Sequence, residues 1–353
     1  MKRRDVMRRI IFFGVLVVFL AAFVFSPMAT VETAEAQKVI TWKSQSHWPM
    51  ASSSYRDSLV AVAERIKERS NGRLVIEPHP GGALVPGPQV FTAVKQGMLP
   101  IGVTSSAYDL AEVPIFNVVA GLPLNFAAEW EGVYFHQWMG FEQMVKDYVL
   151  ENHNMLFFTD KIYTTELSLK KPVRTFEDFK GLKLRSSGIL QKYLTSIGAA
   201  ASMIPGGDVY AALASGMMDG AHWGAVQGSY SMKFYEISKY HLRPALNVAA
   251  TDIWLVNKKA FDKLPEDLQE ILVSTLEEHF WLRTNQYIYL ESLVLSKIQK
   301  EDNVTLITLP PEEYAKMQKA ALKIWDDVAA LSPECAEAVE MVKEFNRKMG
   351  RLE

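Results

Sequence analysis

The sequence predicts an α/β protein of two lobes, with one long helix that crosses both. Three observations lead to this fold class. A strand, a helix and a second strand follow one another within residues 39–76, which is the order of a βαβ unit. The stretch at residues 93–102 is echoed at residues 212–221, as expected if two lobes share one plan. Residues 266–300 keep helical periodicity without Pro or Gly.

The first lobe is predicted to contain a partly parallel sheet. Residues 39–43 and 74–76 are strand-like, and between them the apolar residues Leu59, Val62, Ala63 and Ile66 follow the i, i+3, i+4, i+7 spacing of a helix. Two strands joined by a crossover helix pair in parallel. The further elements predicted are helices at 89–96, 129–151, 188–197 and 208–215, and strands at 101–103, 156–158, 183–186, 200–204 and 246–256.

The predicted helix over residues 266–300 is too long for one lobe. At 1.5 Å per residue it would extend about 50 Å. It is therefore expected to lie across both lobes. Residues 311–349 predict two further helices.

The first 36 residues have the pattern of a secretory signal peptide. A basic start, Lys2 to Arg9, precedes an uncharged apolar run over residues 10–25, and Ala34-Glu35-Ala36 supplies a small-residue cleavage site. Cleavage is expected before Gln37, which predicts a periplasmic protein. The alternative is a retained N-terminal anchor, although 16 apolar residues are short for a membrane span.

Charge and motifs narrow the function classes. The formal net charge of −2 argues against a nucleic-acid partner. The single cysteine, Cys335, excludes an internal disulfide. The sequence contains no Gly-x-Ser-x-Gly, His-Glu-x-x-His or Cys-x-x-Cys motif, so we expect a protein that is not an enzyme. An exported enzyme acting on a carboxylic acid remains the rival hypothesis.

Arg185 is the first candidate for ligand binding. It ends a predicted strand and is followed by Ser186-Ser187-Gly188, which opens a helix. Open α/β sheets bind ligands at the carboxyl ends of their strands, and a guanidinium suits a carboxylate. The alternative is a surface ion pair with Glu177 or Asp178.

A second candidate set surrounds His222 and Trp223. Small residues flank this pair and leave room beside both rings. The alternative is a core Trp with a satisfied His. In the first lobe, Trp48 and Tyr108 place aromatic rings and a hydroxyl in loops that follow predicted strands.

Two segments resemble a known family. Residues 176–185 resemble the D-x-K-G-x-K-x-R segment of the solute-binding proteins of TRAP transporters, the DctP family. Residues 205–220 resemble its P-x-x-E-x-Y-x-A-L-x-x-G-x-x-D-G motif, with Asp208 at the acidic position. The resemblance covers residues 38–345. Within the family, the sequence is similar to the branch that binds 2-oxo acids or lactate.

The resemblance implies a periplasmic-binding-protein fold with a hinge, which closes on a small organic acid and delivers it to TRAP membrane permease subunits. Arg185 would then form the salt bridge with the carboxylate. Lobe one is expected at 38–158 plus 249–280, and lobe two at 159–248 plus 300–345. A monomer or a dimer is compatible with the sequence. The alternative is an ABC-type or sensor-type periplasmic binding protein.

The same branch holds its substrate with a metal ion. Its metal positions would fall on His222 and Trp223, and its Gln on Thr164 or Thr165. Imidazole and hydroxyl groups are poor ligands for a hard cation, so we expect no cofactor. His222 would instead contact the substrate, with affinity depending on pH near 6.5. The predicted substrate-binding residues are Arg185, Trp223, His222, Thr164, Thr165, Tyr108, Trp48 and Asp208.

Overall fold

The computed structural model describes residues 38–353. The predicted signal peptide, residues 1–36, lies outside the described residues. The strands are β1 Ile40–Ser46, β2 Leu74–His79, β3 Ile101–Ser105, β4 Met155–Thr159, β5 Tyr163–Leu169, β6 Lys183–Arg185, β7 Ala200–Ser202, β8 Gly220–Gly224, β9 Tyr240–Ala250, β10 Asp252–Asn257 and β11 Thr305–Thr308.

Helices surround the strands, and a turn of π-helix at Tyr55–Val60 runs directly into the first of them. The helices are α1 Ala61–Arg69, α2 Val90–Lys95, α3 Phe116–Val119, α4 Glu129–Gln137, α5 Phe141–His153, α6 Gly188–Ser196, α7 Val209–Ala214, α8 Val226–Ser231, α9 Lys258–Phe261, α10 Glu266–Lys300, α11 Pro311–Ala329 and α12 Pro333–Lys348.

The strands form two sheets, one in each lobe. The first sheet has the order β2-β1-β3-β10-β4 and the second has the order β11-β9-β5-β8-β6-β7. Strand β1 pairs in parallel with β2 and with β3, which confirms the parallel pairing predicted from the βαβ order. Strand β10 enters the first sheet antiparallel to β3 and β4 after the chain has built most of the second sheet. The two-lobed α/β fold class is therefore confirmed, whereas the exact lobe boundaries stay a prediction.

The chain crosses between the sheets at three places. Residues 160–162 join β4 to β5, Thr251 joins β9 to β10, and α10 runs along both lobes. Near its start, Leu268 and Leu272 of α10 pack in the core of the first lobe, while Ile298 packs against residues of the second. Helix α10 is thus the predicted crossing helix. No helix among residues 38–353 is long and apolar enough to span a membrane.

Buried charges concentrate at these crossings. The carboxylate of Asp160 is fully buried and pairs with the ammonium of Lys161. The same ammonium also contacts Asp252 Oδ2 at 2.7 Å. Burial by itself would raise the pKa of Asp160, but the charge of Lys161 and the hydrogen bond from His279 hold it well below its usual value. The four donors to Asp160 are Ser58 Oγ at 3.0 Å, Lys161 Nζ at 2.9 Å, Trp254 Nε1 at 2.9 Å and His279 Nε2 at 3.0 Å.

The C-terminal helices tie the two lobes together on another side. Trp325 of α11 donates to the carbonyl of Pro123 at 2.8 Å, and Asn346 of α12 donates to that of Asn125 at 2.9 Å. Asn125 in turn accepts from the backbone of Val248 in β9. One apolar core runs continuously through this region, from α2 and α3 to α11 and α12.

Two predicted elements are divided in the structure. The single helix predicted over residues 129–151 is wrong, because Gly140 takes a left-handed conformation with φ of 88° and separates α4 from α5. The single strand predicted over residues 246–256 is also wrong. It is the end of β9 and the whole of β10, which belong to different sheets and are separated at Thr251.

The buried cluster yields a prediction about stability. Asp160→Asn removes the charge that faces Lys161 and should lower the free energy of unfolding by about 3 kcal/mol at neutral pH. Because the pKa of Asp160 is depressed in the folded protein, its stabilisation is complete above the usual aspartate pKa. It is lost as the pH falls below that value, so the difference between variant and wild type should narrow in acid.

Urea denaturation at several pH values measures this difference. The matched control is Asp326→Asn, which breaks the exposed contact with Lys343 at 2.7 Å and should change stability by less than about 1 kcal/mol. Equal effects of the two substitutions would contradict a special role for the buried carboxylate.

Candidate functional site

A cleft lies where the two lobes meet. Its walls come from loops after β1 and β3, from the start of β5, from the ends of β6 and β8, and from α10. Among the polar and aromatic residues that line it are His47, Trp48, Ser105, Tyr108, Lys161, Tyr163, Thr165, Arg185, Ser187, His222, Trp223, Thr251, Asp252 and Tyr287.

Arg185 ends strand β6 and is 3% exposed. Its Nε donates to the carbonyl of Ile204 at 3.1 Å, and its Nη1 donates to the carbonyl of His222 at 2.8 Å. The guanidinium also lies 4.8 Å from the ring centroid of Trp223. These contacts hold the side chain in one orientation at the cleft wall.

No carboxylate within residues 38–353 pairs with Arg185. The alternative pairing does not occur, since Asp178 caps its own turn by accepting from the backbone of Arg174 and Thr175, and Glu177 is exposed. Burial lowers the pKa of Arg185 and raises that of the neighbouring Tyr108. A buried cation without a counter-charge is unfavourable, so the cleft is electrostatically suited to an anion.

His222 lies on β8, next to Arg185. Its Nδ1 is 3.0 Å from Ser186 Oγ, and its Nε2 is buried with no partner among the described residues. Burial, with a smaller contribution from the Arg185 charge, lowers the pKa of His222 to about 3. The expectation of a titration near pH 6.5 is therefore wrong, because a low-dielectric site beside a cation disfavours the imidazolium.

A neutral His222 carries one N–H. If the Ser186 hydroxyl donates to Nδ1, the proton resides on Nε2, the nitrogen that lacks a protein partner. His222 then offers one hydrogen-bond donor beside the guanidinium of Arg185. A ligand oxygen next to the carboxylate would satisfy it.

Glycines make room for the ring of Trp223, which is half-buried. A Cβ on Gly206 would lie 2.7 Å from Cη2 of the indole, and one on Gly228 would lie 3.2 Å from Cδ1. The ring also packs edge-on against Phe234, with centroids 5.6 Å apart. The lack of side chains at these two glycines thus leaves space for the indole to lie against the guanidinium of Arg185.

The opposite wall belongs to the first lobe and the crossing segments. The Lys161 ammonium lies 4.8 Å from the Trp48 ring centroid and 4.6 Å from that of Tyr163. His47 Nε2 is 3.5 Å from Asp252 Oδ1, and burial lowers the pKa of His47 to about 4. This wall is aromatic, and its charged groups, Lys161 and Asp252, neutralise each other.

The lobes touch around the cleft. Gln227 of the second lobe donates to Ser53 Oγ of the first at 2.7 Å. A Cβ on Gly188 would lie 2.6 Å from Cβ of Ala107. The two lobes are therefore in direct contact on either side of the cleft.

The structure brings six predicted residues together at the cleft: Trp48, Tyr108, Thr165, Arg185, His222 and Trp223. Thr164 and Asp208 do not line it. The side chain of Thr164 points elsewhere along β5, since neighbouring strand residues face opposite sides, and Asp208 is exposed before α7. The Thr165 hydroxyl is engaged by Asn247 Oδ1 at 3.0 Å.

Sequence reasoning missed Lys161, Tyr163, Asp252 and Tyr287 as part of the site. They lie at crossing segments and on α10, up to 126 positions apart. Only the uninterrupted length of α10, which requires it to pass both lobes, could have drawn attention to Tyr287.

The donor set near Arg185 does not fit a hard metal ion. Within residues 38–353, no group of three or more His, Cys, Asp or Glu side chains is arranged to hold a metal. Near Arg185 stand an imidazole and hydroxyls, while the carboxylate of Asp252 is engaged by Lys161 and His47. Sodium and calcium need several carboxylate or carbonyl oxygens, and these residues do not supply them.

Comparison with known proteins identifies relatives over most of the chain. A profile described as bacterial extracellular solute-binding protein, family 7 (DctP), matches residues 45–331. A monocarboxylate 2-oxoacid-binding periplasmic protein of Nostoc sp. is 26% identical over 313 residues, which are 88% of this chain and 85% of that protein.

Solved structures share the fold. A TRAP periplasmic solute-binding protein from Pseudoalteromonas atlantica, with bound sodium and pyruvate, has a TM-score of 0.81 at 24% identity, covering 88% of this chain and 95% of that one. A TRAP solute-binding protein from Bordetella bronchiseptica, with calcium and picolinate, has a TM-score of 0.80 at 21% identity, covering 89% and 93%.

The environment of His222 predicts its protonation state. Its ring should remain neutral from neutral pH down to about pH 4, since its pKa is lowered to about 3. Long-range ¹H–¹⁵N spectra of the imidazole rings, recorded across this range, measure the state and the tautomer. The spectrum of His222→Gln assigns the signal, and a midpoint near 6.5 would contradict the buried, cation-flanked site.

Proposed function

The chain belongs to the bacterial extracellular solute-binding proteins of family 7, and we propose that it captures a small monocarboxylate for a TRAP membrane permease. One observation carries the proposal. Arg185 is a buried, rigidly held cation at the cleft wall that lacks a carboxylate partner among the described residues. A ligand carboxylate would supply the missing charge.

Binding to Arg185 would proceed through its free guanidinium edge. Nε and Nη1 already donate to the carbonyls of Ile204 and His222, so a ligand would bind the remaining N–H groups, beside the Tyr108 hydroxyl. The two protein bonds orient the planar fork before the ligand arrives, which lowers the entropy lost on binding. The indole of Trp223 would pack against the face of the guanidinium.

The substrate class follows from the group beside Arg185. The Nε2–H of a neutral His222 would donate to a second oxygen close to the carboxylate, which is the arrangement of a 2-oxo or 2-hydroxy acid. Pyruvate, picolinate and malonate, the ligands named for three of the related structures, each carry a carboxylate. In this chain the imidazole would take the place of a bridging cation.

Delivery would depend on closure of the lobes. Ser53–Gln227 and the close approach of Gly188 to Ala107 would form only when the lobes meet. Hinge closure of this kind is a common response to ligands. The closed form would present one continuous surface to the permease in the periplasm.

The cleft favours a receptor over an enzyme. Ser186 and His222 form a hydroxyl–imidazole contact that resembles a catalytic pair. Ser186, however, is fully buried, and it is Ser187 that lines the cleft. A nucleophile must reach the substrate, so this pair orients the imidazole rather than performing chemistry.

Removing the guanidinium should abolish binding. Arg185→Ala loses charge-assisted hydrogen bonds that together amount to about 3–5 kcal/mol, which corresponds to a loss in affinity of roughly 100-fold or more. Titration calorimetry with pyruvate, lactate and picolinate measures it. Arg347→Ala, at an exposed arginine of α12, is the matched control and should bind like wild type. A loss below threefold in Arg185→Ala would overturn the proposal.

Binding should not require a metal ion. Affinity for the same three acids should change by less than about twofold when EDTA is added or when sodium is replaced by a bulky organic cation, because the donor set lacks carboxylate oxygens. The measurement is calorimetry on protein dialysed against chelator. A large loss in EDTA that calcium restores would show that a cation does bridge the ligand.

A further inference from the structure

A hydrogen bond between the side chains of Gln227 and Ser53 joins the two lobes. Gln227 of α8 is 5% exposed and donates from Nε2 to Ser53 Oγ at 2.7 Å. We call this contact the latch. Because the latch forms only when the lobes meet, any group that fixes Gln227 in place also affects how long the lobes stay together.

A buried carboxylate of the long helix α10 holds the second-lobe half of the latch. Glu291 accepts from the backbone N–H of Val226 at Oε1 and from that of Gln227 at Oε2, both at 2.9 Å. Ala225, which precedes α8, has no side chain that could satisfy these donors. Glu291 therefore fixes the start of α8, and with it the backbone of the latch residue.

The same face of α10 also contacts the first-lobe side of the latch. Arg283, Tyr287 and Glu291 are spaced four residues apart and so lie above one another on the helix. A Cβ on Gly224 would lie 2.6 Å from the Tyr287 hydroxyl, which therefore packs directly against the residues that lead into α8. The Arg283 guanidinium is 3.5 Å from Ser54 Oγ, next to the latch.

The surroundings of Glu291 make its charge unfavourable. The titratable and charged groups that face it are Glu166 of β5, Arg243 of β9, Tyr235 ahead of β9 and Tyr287 of α10. Helix α8 carries no charged side chain. Arg243 Nε lies 3.2 Å from Glu166 Oε1, so its charge is shared with a second carboxylate.

Glu291 is consequently poised to change protonation state near neutral pH. Burial, followed by the charge of Glu166, raises the pKa of Glu291 to about 7, although the two backbone hydrogen bonds oppose this rise. The carboxylate form, which accepts both bonds, is complete above that value and is lost as the pH falls through it.

We propose that Glu291 is a positioning residue that controls ligand release: its carboxylate fixes Gln227 in the latch, and its protonation frees Gln227 and lets the lobes part. This role rests on the proposed function, because release requires a ligand in the cleft. A protonated carboxyl group carries an O–H donor that cannot pair with a backbone N–H. One of the two bonds to α8 is then lost, so the ligand leaves faster in mild acid.

Stopped-flow displacement of bound pyruvate, lactate or picolinate, followed by the fluorescence of Trp48 and Trp223, measures release. Glu291→Gln has one acceptor oxygen and an NH₂ donor, like the protonated carboxyl. At pH 8 it should release the acid about 3–10-fold faster than wild type, the effect of one ordinary hydrogen bond. Wild type should show the same increase between pH 8 and pH 5.5, and Glu291→Gln should show none. A flat wild-type profile or an unchanged rate in the variant would overturn the proposal.

Two matched variants exclude other carboxyl groups. Glu270→Gln changes an exposed carboxylate of the same helix and should release ligand like wild type. Asp109 also titrates in this range, because burial raises its pKa to about 7. Asp109→Asn should nevertheless keep the wild-type pH profile. A profile that is lost in Asp109→Asn and kept in Glu291→Gln would contradict the role of Glu291.

Ser53→Ala distinguishes positioning of the latch from a general loosening of the second lobe. It should release ligand at least as fast as Glu291→Gln at pH 8, with a flat pH profile. The double variant should match Ser53→Ala, because both substitutions act on one hydrogen bond and their effects do not add. Additive effects would show that Glu291 acts by another route.

Hydrogen–deuterium exchange of the ligand-free protein gives a readout that does not depend on the bound acid. At pH 8, Glu291→Gln should exchange faster than wild type in residues 226–228 and also in residues 52–58 of the other lobe. Unchanged exchange in these segments would overturn the proposal whether or not an acid binds. Faster exchange in both, together with no binding of the three acids by wild type, would support the role of Glu291 and overturn the monocarboxylate function alone.

Discussion

The pairing of Asp160 with Lys161 is the interaction on which the arrangement of the two lobes depends. Asp160 follows the last strand of the first sheet before the chain crosses, and its carboxylate is bound by His279 from the long helix. Lys161 reaches Asp252, where the chain returns to the first sheet. All three crossings therefore meet in one buried cluster. Burying these charges is costly, and the complete set of donors around Asp160 offsets that cost.

The two buried cations of the cleft have opposite roles. Lys161 is neutralised by Asp160 and Asp252 and lies among aromatic rings, so it needs nothing from a ligand. Arg185 is held by neutral groups, namely two carbonyls, the face of an indole and the neighbouring Tyr108 hydroxyl. The unfavourable energy of its uncompensated charge is relieved when an anion arrives. Of these two cations, Arg185 lacks a counter-charge, and this difference explains why the cleft selects a carboxylate.

Neutral donors and close packing define the rest of the site. His222 contributes a donor without adding charge, because burial beside Arg185 keeps it deprotonated. Gly206 and Gly228 allow the indole of Trp223 to lie where any side chain would displace it. The cleft thus combines one strong charge, one directional donor and a rigid aromatic wall, which is how small-molecule sites commonly obtain specificity.

Local sequence patterns determined the fold class, the crossing helix and the part of the site built on strand ends. The place of Arg185, His222 and Trp223 at the cleft could be predicted because they lie on short strands beside small residues, a pattern that is visible within a few positions. The chain alone did not reveal that Gly140 divides one helix, that Thr251 separates two sheets, or that His222 is neutral. Those features, like the cluster of Asp160, Lys161 and Asp252, depend on burial and on contacts between distant segments. Only the tertiary structure decides them, because desolvation acts on a group through everything packed around it.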